Sequence, residues 1–479
     1  MVRKHAKIPA GTFLVSLAAA AFLVLAACSD GGSGSSQETD ETTENTEKKD
    51  ENTEKEDEKT DGNTVTSRKI SLSDAPTGYG TYSAITSNPT TVTTRSELID
   101  AVAKGGLIYV SGMIDMSDGM LPNEAGGTTN SLDGFVKEKD SSFSSYNDFY
   151  TKYTGACTYE TNDKSSSTSS QAGESTYRTK LWNLNKEYQK IVCLNLNDNT
   201  AIIGKDSSSG IKGGSIQING KKNVTIRNLV IQDAYDPFPH HEKEDGFNAE
   251  LDGICVQGTT ENIWIDHCTL KDTMHYKLTN VVAKTGGYEK WQTYDGLCDI
   301  KGNANSVTVS YCRFENHDKT MLIGSDDTES VSVTRQVTLH HNYFLNCGQR
   351  LPMVRITNVH VFNNLYDTDS EKYYDQQYAI GVRAKAQIIA ENNYFGTEIT
   401  KAFNGSSNTT KVGDDKTDMV SDTKLYESGN TNGKKANSDY YTVVSAMPYT
   451  IPYEYNLQSP AEAKTSVLAD AGAGCTLTE

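Results

Sequence analysis

From Val224 onward the chain repeats one short pattern: alternating apolar residues, a polar turn position, then a second apolar pair. Ile263–Leu270, Val307–Phe314, Val337–Phe344, Val359–Tyr366 and Ile388–Phe395 carry it in full, and Val224–Leu229 is a shorter relative. Period-two alternation predicts strands. The sixth position of the pattern reads Cys268, Cys312, Asn342, Asn364 and Asn393, with steps of 44, 30, 22 and 29 residues. A recurring coil with loop insertions on some turns, and no helical pattern between, predicts a solenoid of short strands. Asn suits such a position because it tolerates the left-handed region and because stacked amides hydrogen-bond up a ladder. A sandwich needs hairpin signals every eight to twelve residues, and these are missing. The predicted fold is therefore all-β, a parallel β-helix.

The flanking segments fit this reading. Thr94-Arg-Ser-Glu97 is a capping box ahead of Leu98–Val102, a short amphipathic helix placed to cap the first coil. Residues 116–190, rich in Ser, Thr, Asn, Gly and Tyr, break the pattern and read as a long loop insertion, a candidate cleft wall. From about Thr410 the chain reads as irregular and packed along the outside. Of nine cysteines, none has the spacing of a zinc site. Cys298 is expected to face inward with Ile300. Cys157 with Cys193 or Cys475 is the better place to look for a disulfide.

Charge changes the picture at the front of the chain. The formal net charge is −18. Residues 1–27 carry Arg3, Lys4 and Lys7, then an apolar run from Phe13 to Leu25, the layout of an export signal. Leu25-Ala-Ala-Cys28 resembles a lipobox, with Cys28 as the lipidated residue that holds the chain at a membrane. Residues 28–66 hold 13 Asp and Glu against 4 Lys, and Val65 is their one aliphatic residue. Such a segment is expected to be a disordered acidic tether. The domain reading is thus 1–27 signal, 28–66 tether and 67–479 β-helix, an exported monomer facing the cell surface or periplasm. So acidic a chain excludes nucleic acid as a partner, and at first sight disfavours any polyanion.

Candidate chemistry begins at Tyr294–Lys301. In a strand, Asp295, Leu297, Asp299 and Lys301 would share one face, with Gly296, Cys298 and Ile300 on the other. Two carboxylates this close repel unless a positive charge lies between them, and a hard divalent cation fits oxygen donors. A solvated face in which Lys301 neutralises one Asp is an equal reading of the octet alone. Asp252 falls on an earlier coil and Lys319 on a later one. Gln349–Arg355 adds Arg350 and Arg355 around Pro352, which fixes the backbone and lacks a donor.

With these residues in view, the chain resembles the family-one pectate lyases. The motifs are Tyr235-Asp-Pro-Phe-Pro239, Trp264-Ile-Asp-His267, Asp295-Gly-Leu-Cys-Asp-Ile-Lys301, His317-Asp-Lys-Thr320 with Leu322-Ile-Gly324, and Arg350-Leu-Pro-Met-Val-Arg355, in that order. The resemblance implies a right-handed β-helix and cleavage of polygalacturonate by β-elimination. It also implies Ca2+ ligands at Asp252, Asp295 and Asp299, a catalytic Arg350, and substrate binding by Lys301, Lys319 and Arg355. Competing readings are a polygalacturonase-type hydrolase, a pectin lyase and a non-catalytic polysaccharide-binding surface protein. The first needs a carboxylate pair with no metal and gives the Arg350–Arg355 element no role. Asp266 and His267 are expected to be structural, and His340 and His341 to sit at ladder ends or on the surface.

Overall fold

The structure, a computed structural model, describes residues 68–478 except 81–82, 86, 123–128, 158–173, 243–245, 275–278, 283–287 and 408–415. The export signal, the acidic tether and Cys28 lie outside the described residues. Three parallel sheets of eleven, nine and eight strands run the length of the domain. One coil contributes a strand to each in turn: Ile254–Gln257, then Glu261–Asp266, then Thr269–Lys271. The next coil repeats this with Cys298–Ile300, Asn305–Ser310 and Arg313–Glu315.

The repeat pattern maps onto the eleven-stranded sheet. Ile263, Val307, Val337, Val359 and Ile388 stand in register, one per coil. Their side chains and those two residues on fill the interior. The amide ladder forms too. Asn342 Nδ2 donates to Asn364 Oδ1 at 2.9 Å, Asn364 Nδ2 to Asn393 Oδ1 at 3.0 Å, and Asn393 Nδ2 to Asn430 Oδ1 at 2.9 Å. The left-handed residue is not the ladder Asn but its predecessor. Asn228, His267, Tyr311, His341, Asn363 and Asn392 all have φ between 48° and 56°. Beside the ladder Phe314, Phe344, Tyr366 and Phe395 stack at 4.6–4.9 Å.

Helix α1 (Arg95–Lys104) has the predicted capping box and buries Leu98, Ala101 and Val102 over the first coils. The 116–190 insertion departs from its expected loop character. It forms α2 (Asn130–Lys139), α3 (Tyr146–Cys157) and α4 (Glu174–Val192). Leu132, Phe135 and Val136, then Phe149 and Tyr153, then Leu181, Leu184 and Tyr188 make a second core with Phe238, Phe247, Leu251 and Trp291.

The C-terminal part is also more regular than expected. Lys424–Ser428 and Thr442–Val443 extend the eleven-stranded sheet, and Lys435–Ala436 extends the nine-stranded one. Only the remainder lies outside, including α5 (Lys416–Asp422) and α6 (Pro460–Asp470), with Thr476–Thr478 paired in parallel to Lys69–Ser71. No disulfide joins any of the eight described cysteines. Cys157, Cys193 and Cys475 are all free, so neither expected bridge forms; Cys157 sits in the helical core with Cys193 packed against it, and Cys475 in a separate cluster with Ile70 and Tyr109. Cys298 faces inward as expected.

Candidate active site

The candidate residues gather on the outer face of the nine-stranded sheet, where Ile254–Gln257, Cys298–Ile300, Leu322–Ile323 and Met353–Val354 are successive neighbours. Ile254, Val256, Cys298, Ile300, Ile323 and Val354 point into the core. Asp299, opposite Cys255 in register, points out. Leu297 corrects the alternation: the strand begins only at Cys298, and Leu297 turns into the core at 3% exposure. Asp295 therefore lies in the turn ahead of the strand rather than along it.

Two lysines meet three carboxylates here. Lys301 Nζ lies 2.9 Å from Asp252 Oδ2 and 3.1 Å from Asp299 Oδ2. Lys319 Nζ lies 2.6 Å from Asp295 Oδ1. Backbone donors take the other oxygens: Gly296 N–H donates to Asp252 Oδ1 at 3.1 Å, and Leu322 N–H to Asp299 Oδ1 at 2.9 Å. Glycine is required at 296, because a Cβ there would fall 2.4 Å from Asp299 Oδ1 and 2.8 Å from Asp252 Oδ1.

Charge is not balanced across the group. Burial, then the neighbouring Asp299, lifts Asp252 to about 7 despite Lys301. Burial would also lift Asp295, but Lys319, Lys301 and Arg350 draw it down to about 2. Two further carboxylates, which sequence reading missed, add to the excess. Glu250 is raised to about 8 by burial, Asp236 and Asp295, and Asp236 to about 6 by burial against its hydrogen bonds. Glu250 stands two residues before Asp252, on the side a strand reading assigns to it, which was the available signal. Asp236 belongs to the Tyr235–Pro239 motif. The helical insertion holds that motif: Tyr146 Oη donates to Pro237 O at 2.8 Å and Tyr188 Oη to Tyr235 O at 3.0 Å.

Arg350 has φ 59° and stands near enough to Asp295 and Lys319 for its charge to act on both, helping to hold Asp295 down while Lys319 is still raised, against burial, chiefly by Asp295. Arg355 is paired on the neighbouring turn. It is 5% exposed, with Nε 2.7 Å from Asp327 Oδ1 and Nη1 3.4 Å from Gly324 O, so in this structure it braces the 324–327 turn.

The expected structural residues lie on the eleven-stranded sheet, away from this face. Asp266 accepts from Arg227 Nε at 2.9 Å, Ser310 Oγ at 2.6 Å and His267 Nδ1 at 2.7 Å. His340 and His341 are buried, not surface residues: His340 stacks on Phe362 and His341 on Tyr311.

The donor set suits a hard divalent cation: it is all carboxylate oxygen, partly desolvated, and carries more negative charge than Lys301 and Lys319 offset. Among the described residues no three His, Cys, Asp or Glu side chains already converge as a cage, since Lys301 stands between Asp252 and Asp299.

Comparison with known proteins points the same way. The pectate lyase family model matches residues 175–476. The pectate lyase of Bacillus subtilis (strain 168) is 31% identical over 423 residues, covering 83% of this chain and 91% of that protein. Pectate lyase E of Dickeya dadantii (strain 3937) is 35% identical over 298 residues, covering 59% and 69%. A solved pectate lyase bound to a hexasaccharide superposes with a TM-score of 0.63 at 29% identity, covering 81% of this chain and 92% of its own. Fold, site and similarity agree: the chain belongs to the pectate lyase family.

Proposed function

We propose that this chain cleaves α-1,4-linked polygalacturonate by Ca2+-dependent β-elimination, releasing unsaturated oligogalacturonides. The observation that carries the reading is the excess of buried carboxylates interleaved with Lys301, Lys319 and Arg350 on one open sheet face. Asp252, Asp295 and Asp299 would hold the cation, with Glu250 beside them. Bound there, Ca2+ supplies positive charge next to the uronate carboxylate, through which an acidic protein holds an acidic polymer.

The chain's own groups do the rest. Lys301 and Lys319, released from their carboxylate partners, bind substrate carboxylates and stabilise the charge that develops as the C5 proton leaves. Arg350 takes that proton. The C5 electron pair forms the C4–C5 double bond, the C4–O4 bond breaks, and the departing oxygen takes a proton from water. A guanidinium is normally protonated. The rate should therefore rise toward alkaline pH. A hydrolase mechanism leaves Lys319 and Arg350 unused.

The test is polygalacturonate incubated with the full chain at alkaline pH, with and without chelator, following the ultraviolet absorbance of unsaturated ends. Absence of signal with calcium sinks the lyase reading; signal indifferent to chelator sinks the cation role. We further propose that the protein is exported and membrane-held as a monomer through lipid on Cys28, with 28–66 as spacer. The lipobox and the composition of the spacer support this. A Cys28→Ser variant found in the soluble fraction would bear it out, and one unchanged in the membrane fraction would refute it.

A further inference from the structure

The His317-Asp-Lys-Thr320 motif supplies Lys319, but the reaction above makes no use of its first residue. His317 is 2% exposed, and both ring nitrogens face acceptors. Nδ1 donates to Asp272 Oδ2 at 2.6 Å and Nε2 to the main-chain oxygen of Asp295 at 2.7 Å. Neither acceptor can donate in return, so each nitrogen carries its proton and the ring is a cation paired with Asp272. Asp272, 3% exposed, follows the strand Thr269–Lys271 and opens the connection to Cys298–Ile300 that Asp295 closes.

The main chain around His317 is tied in the other direction as well. Gly348 N–H donates to His317 O at 2.8 Å, Gln349 N–H donates to Asp318 O at 2.8 Å, and Lys319 bridges Gln349 in parallel. Asp295 is thus held directly by the imidazolium, Lys319 stands two residues from it, and Arg350 two residues beyond Gly348. Three successive connections from the eight-stranded to the nine-stranded sheet, 272–297, 316–321 and 346–352, thus meet at His317, the first through its ring and the last through its main chain.

We propose that His317, oriented by Asp272, is a positioning residue for the elimination: it sets the main chain of Asp295 and with it the spacing between the Asp295 carboxylate, Lys319 and Arg350. A buried ion pair is a poor source of stability by itself, because desolvation offsets most of the attraction. Its value here lies in the second nitrogen, which reaches a loop residue that strand pairing does not hold.

This inference rests on Asp295, Lys319 and Arg350 being the working residues, and the experiment separates the two. Asn and Gln each reproduce one nitrogen of histidine. His317→Asn keeps a donor toward Asp272 and drops the one toward Asp295; His317→Gln does the reverse. Both are made in the full chain and assayed for kcat and KM on polygalacturonate. Both are also titrated with Ca2+ without substrate, following the thermal midpoint. Expected for His317→Asn is a fall in kcat/KM of about 10–100-fold and a comparable rise in the half-saturating Ca2+, with His317→Gln within about threefold of the parent.

Equal behaviour of the two variants, or losses that follow the thermal midpoint without calcium and not the missing donor, would overturn the role. If His317→Asn shows no cooperative melting, His317→Gln carries the test, and a fall in its kcat/KM of more than about tenfold, or a comparable rise in its half-saturating Ca2+, would equally overturn the role. A parent protein without lyase activity, or an active Arg350→Ala, defeats the underlying reading instead. Parental rates in His317→Asn where Arg350→Ala is dead defeat only this one.

Discussion

Two faces of the same solenoid bury acid against base and reach opposite electrostatic outcomes. On the eleven-stranded sheet, Asp266 is deeply buried, and burial alone would raise its pKa. His267 and Arg227 outweigh burial and hold it below the usual carboxylate range. Arg227 also reaches Asp74 at 2.9 Å and lies over the Trp264 ring at 4.3 Å. Arg227 lies between two carboxylates, and both Asp266 oxygens accept hydrogen bonds. On the nine-stranded sheet, Asp252 is as deeply buried and is raised to about 7, because acids outnumber the bases that face them. Both faces carry motifs of the pectate lyase family. Balance suits a face that holds the molecule together, and the imbalance on the other is what the proposed cation would relieve.

The largest expected effect is on the unbalanced face: Arg350→Ala should lower kcat by at least about 10³-fold with the thermal midpoint within a degree or two of the parent, read from product absorbance and a melting curve. On the balanced face the pattern should invert. Asp266→Ala leaves Arg227 buried without one of its two carboxylate partners and should cost about 3 kcal/mol in denaturant unfolding, while kcat of the molecules that remain folded is unchanged. A large rate loss in that variant would break the distinction between the faces.

Acid should also strike the balanced face first. Burial lowers His340 to about 3 and His341 to about 4. His341 Nε2 donates to Gln458 Oε1 at 3.2 Å, so its Nδ1 accepts from His340 Nδ1–H at 2.9 Å, and both rings are neutral. Below the ordinary value of 6.5 the unfolded chain takes up protons that these rings refuse. Stability from this source is complete above about pH 7 and falls as pH drops toward 4, by roughly 2 kcal/mol per ring at pH 5. Denaturant midpoints between pH 8 and 5 measure it. The smallest effect sharpens the other side: Asp252→Asn removes one of the excess acids. It should leave unfolding free energy within about 1 kcal/mol of the parent without calcium, while weakening the stabilisation that calcium adds.

How much of this was legible in the sequence follows from strand length and burial. The six-residue strands of the eleven-stranded sheet announce themselves, since alternation needs several residues to show. Leu322–Ile323 and Met353–Val354 are two residues long and carry no periodicity, so the sheet that bears the site was visible only through its motifs. Leu297 shows the cost of extending alternation past a strand's end. The helices of the insertion had a signal, Leu132-Phe135-Val136 and Leu181-Leu184-Tyr188 at helical spacing, which the surrounding Ser, Thr and Asn obscured. Asp252, Asp295, Asp299, Lys301, Lys319 and Arg350 do come together on one face. Arg355 is paired with Asp327, a contact that no sequence pattern shows. The grip of His317 on a main-chain oxygen is a tertiary contact without any local trace.

The pairing of Lys69–Ser71 with Thr476–Thr478 has a consequence for how the domain comes apart. A stack of coils is free to peel from either end, one turn at a time, because each turn touches only its neighbours. Here the two ends of the described chain are joined to each other, and Arg68 adds a clasp, with Nη1 2.8 Å from Asp470 O and 3.0 Å from Ala471 O at the end of α6. Neither end can fray without opening the other. The molecule is wired as a closed circuit, so unfolding should proceed as one event, and a new opening cut in an exposed loop, with the old ends linked, should leave a chain that folds.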